Sequence, residues 1–444
     1  MVALGFGFML LGLTACAAMA AILVWVIIAV AFITILILAA MLLKEELRVV
    51  VLVAVDLALA EHKMRREKMR RISITPRNNW QKAVENLGFG FHTTDVPYWI
   101  ESAYYEFTMP EVLQIENATT QLWEMCLEAV QYVIDNDLFT KFCIPSFFVP
   151  HIQNSWNEDH ASIYGRFDLV LNNGEIKLLE FNADTPTSIY EAGIVQWSWL
   201  QDFDKTKDQF NSIHEKLIDY WKYVKDYLHD GVLHFTCLKN SLEDLTTVEY
   251  MRDCAIQAGL STKLIFIEDI GWDGNAQVFL DLEEVAIKNI FKLYPYEWMI
   301  NEEFAQNILL DKNKTFWIEP SWKMILSNKA ILPILWQLFP NHHLLLKASF
   351  VNDDFTSYAK KPFLSREGAN ILLVENQKEI VSTDGEYGAE GYIYQELYKL
   401  PNFENNYAVI GSWVIGQQSV GIGIRESDGL ITNNLSRFVP HLIV

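Results

Sequence analysis

The chain has 444 residues, of which 51% are hydrophobic and 13% aromatic, so it is long enough to build more than one domain around large buried cores. Its formal net charge of -21 argues against a nucleic-acid-binding surface, because phosphate backbones are bound by clusters of Lys and Arg. Its five cysteines are scattered without a Cys-x-x-Cys pair, so neither a zinc site nor a disulfide framework is indicated. A reducing compartment is the simplest interpretation.

The N-terminal residues 1–43 contain no charged side chain, and about 20 apolar residues are enough for a helix to cross a bilayer. We therefore expect a membrane segment here, as one long span or as two spans, with a juxtamembrane helix up to residue 68. A cluster of Lys and Arg between positions 63 and 71 follows, and such positive flanks usually stay in the cytoplasm. The larger part of the chain, residues 69–444, is thus predicted to be membrane-anchored and to face the cytoplasm.

The composition changes sharply near residue 69, where the run Met69-Arg70-Arg71-Ile72 is typical of an ordinary protein start. If translation starts at Met69, the anchor is absent and the protein is fully cytoplasmic. Both alternatives stay open at this point. In either case we expect the chain to divide into residues 1–68 and residues 69–444.

The segments that follow predict a mixture of helices and strands. Thr108 and Glu111 form a Thr-x-x-Glu capping box in front of a run with apolar residues at helical spacing. Farther along, buried strands are predicted at Gly231–Cys237 and Lys263–Ile267, with a helical pattern between them. This is the pattern of a parallel β-α-β unit, so we expect α/β architecture in this region. Further strand candidates are Phe291–Tyr294 and Phe316–Ile318.

A charged β-hairpin is predicted where two apolar, β-prone runs flank Asn172-Asn173-Gly174, because Asn-Gly between strands is a strong hairpin signal. Successive side chains of a strand point to alternate faces, so Arg166 and Asp168 share one face of the first strand. Glu180 and Asn182 share one face of the second strand for the same reason. Whether the two pairs meet depends on the register of the hairpin.

A two-residue turn at Asn173-Gly174 would send the two pairs to opposite faces, whereas a loop of three or five residues would set Arg166 opposite Glu180. The odd-numbered loop is the one that a metal site requires, and we expect it here. Grouped carboxylate and amide oxygens suit Mg2+, which takes one or two carboxylates and leaves positions for phosphate oxygens. The alternative is an exposed hairpin with a cross-strand ion pair.

Two further stretches have the composition of binding loops. The run Asn182-Ala-Asp184-Thr185-Pro186-Thr187-Ser188 leaves the second strand directly and suits a polar ligand, although the same residue types also make ordinary turns and caps. Lys361 precedes a small loop that contains Arg366 and Gly368, and such loops cradle phosphates through backbone N–H groups and a cation. Neither a P-loop nor a Rossmann fingerprint occurs in the chain.

Several separated motifs occur in one order: Y-G-R-F-D, L-L-E-F-N-A-D-T-P-T-S, S-N-K-A-I-L-P, K-P-F-L-S-R-E-G-A-N and G-I-G-I-R-E. With them, residues 69–444 resemble the glutathionylspermidine synthase family of ATP-grasp amide ligases, in its stand-alone synthetase branch. The resemblance implies an ATP-grasp synthetase fold, of α/β (α+β) class. It also implies a reaction in which ATP phosphorylates a carboxylate and an amine then displaces phosphate from the acylphosphate.

The same resemblance implies a role for each residue that matches a family motif. The implied Mg2+ ligands are Asp168, Glu180 and Asn182. The implied catalytic cations are Arg166 at the acyl phosphate, Arg366 on a mobile loop and Arg425 at the transferred phosphoryl group. The implied ATP contacts are Lys329 and Lys361 at the phosphates and Gln395, Glu396 and Leu397 at the adenine. The implied substrate contacts are Thr185, Thr187 and Glu191.

We therefore expect an ATP- and Mg2+-dependent ligase that joins a carboxylic acid to an amine. The acid could be a small peptide such as glutathione, and the amine a polyamine or another amine, for which a net charge of -21 is electrostatically favourable. The alternative is a non-catalytic nucleotide- or peptide-binding module tethered to the membrane. The complete set of predicted metal ligands and cations favours the ligase, because a binding module need not keep them together.

Overall fold

The computed structural model describes residues 27–35, 68–352, 354–433 and 435–444. The chain divides between Lys68 and Met69 into two compact units. In the first unit, residues 27–35 form a helix with exposed apolar side chains, such as Ile28 and Phe32. Among the described residues, no helix is long and apolar enough to cross a bilayer. The rest of the predicted membrane and juxtamembrane segment lies outside the described residues, so the structure gives the predicted anchor no support.

The second unit is a mixed α/β structure, as predicted. Its helices are α1 (Trp80–Asn86), α2 (Met109–Asp135), α3 (Val149–Asn157), α4 (Gln196–Phe203), α5 (Ile213–Val224), α6 (Leu242–Gln257), α7 (Tyr296–Met299), α8 (Phe304–Leu310), α9 (Lys323–Ser327) and α10 (Ile331–Leu338). A π-helical turn over Glu191–Val195 leads into α4.

Its first ten strands are β1 (Arg70–Ser73), β2 (Ala103–Phe107), β3 (Tyr164–Asn172), β4 (Glu175–Asn182), β5 (Leu233–Cys237), β6 (Thr262–Phe266), β7 (Gly271–Asp273), β8 (Val278–Leu280), β9 (Asn289–Lys292) and β10 (Phe316–Ile318). The later strands are β11 (Ala348–Ser349), β12 (Tyr358–Pro362), β13 (Leu372–Glu375), β14 (Lys378–Ser382), β15 (Tyr392–Glu396), β16 (Asn402–Phe403), β17 (Asn406–Ile415), β18 (Gln418–Ser427), β19 (Arg437–Val439) and β20 (His441–Ile443).

Helix α2 confirms the predicted capping box. The Thr108 side chain accepts a hydrogen bond from the Glu111 backbone N–H, and the Glu111 carboxylate accepts one from the Thr108 backbone N–H in return. One face of the helix carries Val112, Ile115 and Leu122 into the main hydrophobic core, where it packs against β17 and β18. The helix therefore supports the large antiparallel sheet from behind.

The predicted β-α-β unit is confirmed as part of a four-stranded parallel sheet of order β10-β9-β5-β6. From β5 the chain crosses over α6 to β6 on one side, whereas β9 and β10 lie on the other side. The strand order therefore reverses between β5 and β9. Ligands of open parallel sheets bind outside the carboxyl ends of the strands at such a reversal, so the residues after β5 and β9 are the first place to look for a site.

The turn between β3 and β4 differs from the predicted one. It is the two-residue turn Asn173-Gly174, and both residues have positive φ (53° and 83°), as a tight hairpin turn requires. Asn172 accordingly pairs with Glu175. The expected loop of three or five residues is wrong, because the Asn-Gly dipeptide alone meets the backbone demands of the turn.

A β-bulge restores the alignment that the turn would have lost. Leu179 is an extra residue in β4, so the pairing shifts by one residue beyond it and the two faces of the strand are exchanged. Asp168 therefore lies opposite Glu180, and Arg166 lies opposite Asn182. The predicted pairing of Arg166 with Glu180 is wrong, but the four polar residues do share one face of the hairpin.

The remaining strands complete two antiparallel sheets around this hairpin. Strands β17 and β18 extend the hairpin sheet in the order β19-β18-β17-β3-β4. A five-stranded sheet of order β11-β15-β12-β13-β14 carries Lys361 on β12 and Gln395 on β15. Both of these side chains donate hydrogen bonds to the carbonyl groups of Leu178 and Leu179 at the bulge, so the bulge is where the two sheets meet.

Candidate active site

A cavity of about 390 Å3 lies between the five-stranded sheet and the hairpin, and we call it the apolar-walled cavity. Its volume is within the range of small-ligand sites, which is roughly 300–1,000 Å3. Its apolar lining residues are Leu179, Ala359, Ile371, Leu373, Ile380, Leu397, Leu400, Val409, Leu430 and Ile431. Its polar end contains Asp168, Glu180, Lys329 and Lys361. A flat apolar group and an anionic group would therefore find their partners at opposite ends of the same cavity.

Lys361 is fixed at this polar end by two hydrogen bonds. Its ammonium group donates to the Gln395 side-chain oxygen at 2.8 Å and to the Leu179 carbonyl at 3.0 Å. Burial disfavours the charged form and lowers the pKa of Lys361 to about 8, although the nearby Glu180 carboxylate acts in the opposite direction. An anion bound in the cavity would favour the charged form of Lys361, because it would place a negative charge in direct contact with the ammonium group.

Asp168 and Glu180 stand at the inner end of the cavity, each beside a cation. Arg166 donates to both carboxylate oxygens of Asp168, at 2.7 and 3.2 Å, and the Asn182 amide donates to one of them at 3.2 Å. The Lys329 ammonium lies 3.3 Å from Glu180. Burial alone would raise the pKa of Glu180, but Lys329, Lys361 and Arg166 together lower it to about 2. Glu180 is therefore an anion at any physiological pH.

Asp168, Glu180 and Asn182 lie together at the inner end of the cavity, and we call this place the junction. Their side-chain oxygen atoms form a donor set that fits Mg2+. Among the described residues, no group of three or more His, Cys, Asp or Glu side chains is arranged to hold a metal by itself. Asp168, Glu180 and Asn182 instead offer two carboxylates and one amide from adjacent strands. Mg2+ is commonly held by one or two carboxylates while phosphate oxygens and water fill its other positions.

Gly411 leaves the space that the Arg166 side chain occupies. It lies on β17 directly opposite Asp168, and a Cβ atom there would approach the Arg166 side chain to 2.8 Å. Arg166 also donates to the Thr187 carbonyl at 2.8 Å, so its guanidinium joins the hairpin to the loop that follows it. The arginine is thus held in one position by both neighbours.

The loop of residues 363–370, which we call the Arg366 loop, covers the junction. Lys329 donates to the Ser365 carbonyl at 2.6 Å. Gly368 has φ +69°, and a Cβ atom there would be 2.5 Å from the Thr432 carbonyl oxygen, so only glycine permits this close approach. Ser365, Gly368 and Thr432 line both the apolar-walled cavity and a second cavity beyond the junction.

The second cavity has a volume of about 260 Å3, and we call it the polar cavity. It lies at the strand reversal of the parallel sheet, because residues following β5 and β9 line it. Its lining residues from the parallel sheet are Leu238, Ser241, Glu243, Asp244, Leu293, Tyr294, Pro295 and Trp298. Its lining residues from the predicted motifs are Arg166, Asp168, Glu180, Asn182, Thr185, Thr187, Arg366 and Arg425. The two cavities therefore meet at Asp168 and Glu180.

Arg366 and Arg425 reach the polar cavity from different elements. Arg366 donates to the Thr185 hydroxyl at 2.8 Å and to the Glu297 carboxylate at 2.6 Å. Arg425, on β18, donates to the Asn433 carbonyl at 2.8 Å. The buried Nε atom of each arginine has no hydrogen-bond partner among the described residues. Both guanidinium groups thus retain donors for a ligand.

The sequence analysis did not identify two acidic residues of the polar cavity, Glu243 and Asp244, which we call the acidic wall. Glu243 and Asp244 lie in the first turn of α6, directly after β5, and both line the polar cavity. Burial, together with the nearby Glu243 carboxylate, raises the pKa of Asp244 to about 6, although the Ser241 hydrogen bond lowers it. A position just after a buried parallel strand was the signal that could have identified these residues, because the carboxyl ends of such strands form ligand sites.

Glu191 is the predicted site residue that lines neither cavity. It is 1% exposed and accepts a hydrogen bond of 2.6 Å from the Tyr98 hydroxyl. Burial and the Glu243 carboxylate raise the pKa of Glu191 to about 7, whereas Tyr98 and Arg425 lower it. Glu191 is therefore a buried neighbour of the acidic wall, and its predicted contact with substrate stays a prediction.

The structure brings the other predicted site residues together around the two cavities. Lys329, Lys361, Gln395, Glu396 and Leu397 line the apolar-walled cavity, where the end of β15 forms one side. Thr185 and Thr187 line the polar cavity beside Arg366. The role of each residue stays a prediction, but the grouping separates predicted nucleotide contacts from predicted substrate contacts.

Comparisons with known proteins identify the family of the chain. Residues 71–444 match the model of the glutathionylspermidine synthase preATP-grasp family. A putative acid–amine ligase of Haemophilus influenzae is 37% identical over 394 residues, which cover 85% of this chain and 100% of that protein. The bifunctional glutathionylspermidine synthetase/amidase of Escherichia coli and the trypanothione synthetase of Crithidia fasciculata are each 30% identical. These matches cover 77% and 76% of this chain but only 59% and 56% of those proteins.

A solved structure shows a similar fold at low identity. The glutathione synthetase-like effector of Globodera pallida aligns with a TM-score of 0.50 and 11% identity, over 77% of this chain and 89% of that chain. At this identity the likeness concerns the fold alone. It supports the mixed α/β arrangement of sheets described above.

Proposed function

Because the chain belongs to the glutathionylspermidine synthase preATP-grasp family, we propose that it is an ATP- and Mg2+-dependent ligase of ATP-grasp type. It joins a carboxylic acid to an amine through an acylphosphate. The observation that carries this proposal is the meeting of two unlike cavities at Asp168 and Glu180. Residues 69–444 carry the activity in this proposal.

The apolar-walled cavity is suited to the nucleotide. A flat adenine would lie between apolar side chains such as Leu373 and Ile431, with the backbone of β15 at its edge. Lys329 and Lys361 would meet the phosphates at the opposite end. Asp168, Glu180 and Asn182 would hold Mg2+, which neutralises negative charge on the phosphate oxygens when it is bound.

The polar cavity is suited to the acid and the amine. In the first step a carboxylate oxygen of the acid attacks the terminal phosphorus of ATP, and ADP leaves. In the second step the amine nitrogen attacks the acyl carbon, and inorganic phosphate leaves. Arg166, Arg366 and Arg425 are cations at the place where negative charge develops, and such preorganised groups account for much of the rate of phosphoryl transfer.

The acidic wall indicates that the acceptor is cationic before it reacts. Glu243 and Asp244 line the same cavity as the arginines, so a substrate ammonium group would find carboxylate partners there and a substrate carboxylate would find cations. A polyamine or another amine would fit this arrangement, and a peptide carboxylate such as that of glutathione would fit the arginine side. The relatives named for glutathionylspermidine and trypanothione synthesis support the same pair of substrate classes.

The experiment is a screen of the purified chain for ADP formation with ATP, Mg2+, small peptides and amines in combination. The proposal predicts that ADP forms only when an acid is present and that amide forms when an amine is added. Nucleotide binding without ADP formation for any combination would support the non-catalytic binding module instead.

A further inference from the structure

A buried ion pair holds one side of the polar cavity together. The Lys292 ammonium donates to Asp184 at 2.6 Å, and the two side chains are 0% and 1% exposed. The second carboxylate oxygen of Asp184 accepts the Tyr296 backbone N–H at 3.0 Å. Asp184 therefore fastens the loop after β4 to the segment after β9. We call these two pieces, residues 184–187 and 293–298, the acceptor wall.

The Arg366 loop spans from the nucleotide side to this wall. On the nucleotide side it is held by the hydrogen bond from Lys329 to the Ser365 carbonyl and by the close approach of Gly368 to Thr432. On the other side its one charged contact with the acceptor wall, among the described residues, is made by the Arg366 guanidinium. Arg366 therefore supplies the charged attachment of the loop to this wall.

Glu297 is the charged partner of Arg366 on this wall, where the Thr185 hydroxyl also accepts a hydrogen bond of 2.8 Å from the guanidinium. The Arg366–Glu297 ion pair is 2.6 Å long, and the side chains are 31% and 12% exposed. The guanidinium carbon also lies 5.6 Å from the ring centroid of Trp298, which places the cation against an aromatic face. Glu297 does not line the polar cavity itself, so it contacts Arg366 from behind and leaves the cavity free for substrate.

We propose that Glu297 is a positioning residue that latches the Arg366 loop to the acceptor wall. Closure of the loop over the junction keeps water away from the transferred phosphoryl group, which would otherwise pass to water as inorganic phosphate. The latch also ties closure to a wall that Asp184 and Lys292 keep rigid. This inference rests on the proposed ligase function, but the latch itself is open to a test that needs no turnover.

The variant Glu297→Gln keeps the size of the side chain and removes its charge. With the full chain saturated by a non-hydrolysable ATP analogue, we expect trypsin to cleave after Arg366 about 5- to 10-fold faster in Glu297→Gln than in the parent, because a charge-assisted hydrogen bond is lost. The cleavage is followed by mass spectrometry at that one bond. Glu303→Gln, at an exposed carboxylate just before α8 and outside the acceptor wall, is the matched control and should cleave like the parent.

A second readout separates positioning from a merely structural role. In Glu297→Gln we expect the ratio of phosphate released to amide formed to rise several-fold, while thermal stability stays close to that of Glu303→Gln. Equal cleavage after Arg366 in the parent and Glu297→Gln would overturn the latch. If no acid and amine support ADP formation in the parent, the ligase proposal fails, whereas the protease comparison still decides whether Glu297 holds the loop.

Discussion

The pKa values of carboxylates at the junction and at the acidic side of the polar cavity are shifted in opposite directions. Glu180 is surrounded by Lys329, Lys361 and Arg166, which lower its pKa to about 2 in spite of burial. Glu191 is buried and Asp244 half-buried, both near the Glu243 carboxylate, and burial together with that charge raises their pKa values to about 7 and about 6. A carboxyl group is therefore a permanent anion at the junction, whereas the carboxyl groups of Glu191 and Asp244 titrate near physiological pH.

This difference matches the two tasks of the proposed reaction. The junction needs negative oxygens for a metal ion and cations for phosphates, and the low pKa of Glu180 keeps its carboxylate charged throughout the physiological range. The acceptor side must hold an ammonium group and then release its proton before the amine can attack. Carboxyl groups with a pKa near 6 or 7 are suited to that exchange, since a proton acceptor works best near the ambient pH.

The largest effect is expected when the fixed negative charge of Glu180 is removed from the junction. In Glu180→Gln we expect turnover to fall by about 100- to 1,000-fold, a typical effect of removing one electrostatic group from a reaction centre. ADP formation is the measurement. Glu124→Gln, on the exposed side of α2, should keep the parent rate, and a Glu180→Gln variant with parental turnover would contradict the assigned role of the junction.

The next test concerns the buried acid behind the polar cavity. Because the folded-state pKa of Glu191 is raised, its contribution to stability is fully present below the ordinary value of 4.5 and is lost as the pH rises through about 7. We therefore expect the difference in the free energy of unfolding between Glu191→Gln and the parent to shift by about 2–3 kcal/mol in favour of the variant as the pH rises through this window. Chemical denaturation at several pH values measures this difference. The matched control, Glu215→Gln on the exposed face of α5, should follow the parent at every pH. A constant difference between Glu191→Gln and the parent would mean that Glu191 titrates normally.

A smaller effect is expected where the Arg366 loop approaches the apolar-walled cavity. A methyl group in Gly368→Ala would approach the Thr432 carbonyl oxygen to 2.5 Å at a φ of +69°. The loop must then shift, at a cost of about 1–2 kcal/mol, and we expect nucleotide affinity to fall about tenfold. Titration with an ATP analogue measures the nucleotide affinity. Gly429→Ala has open space around its Cβ position and should bind like the parent.

The smallest effect concerns the acidic wall. In Asp244→Asn we expect the KM for the amine to rise about fivefold to tenfold with little change in nucleotide affinity, because one partner of the ammonium group is lost. In the parent, amine affinity should strengthen as the pH rises through about 6, and this dependence should weaken in the variant. Asp253→Asn, exposed on the same helix, is the control. An unchanged KM would remove Asp244 from the amine site.

The junction and the acceptor side also differ in how far the sequence could predict them. The two strands of the β-α-β unit follow from local patterns of apolar residues, so they were predicted close to their observed bounds. The bulge at Leu179 could not be predicted locally, because the carbonyl groups that it exposes are bonded by Lys361 and Gln395 from another sheet. Without the bulge, only an odd-numbered loop could place the four polar residues on one face, and that is why the odd-numbered loop was expected.

Glu243 and Glu297 were missed because their place depends on topology. Each follows a strand of the parallel sheet, and they come near the hairpin only through the strand order, in which β5 and β9 are neighbours. A sequence pattern identifies the strands but not which of them are adjacent. Recognising that the region forms a reversal of strand order would have directed attention to both residues.

The most direct test of the account follows one oxygen atom. When the carboxylate of the acid substrate is labelled with oxygen-18, attack on ATP followed by displacement by the amine transfers one labelled oxygen to inorganic phosphate for each amide formed. Mass spectrometry of the released phosphate measures this transfer. The account predicts one labelled oxygen per phosphate in the parent, and unlabelled phosphate accompanying amide formation would contradict the proposed acylphosphate route.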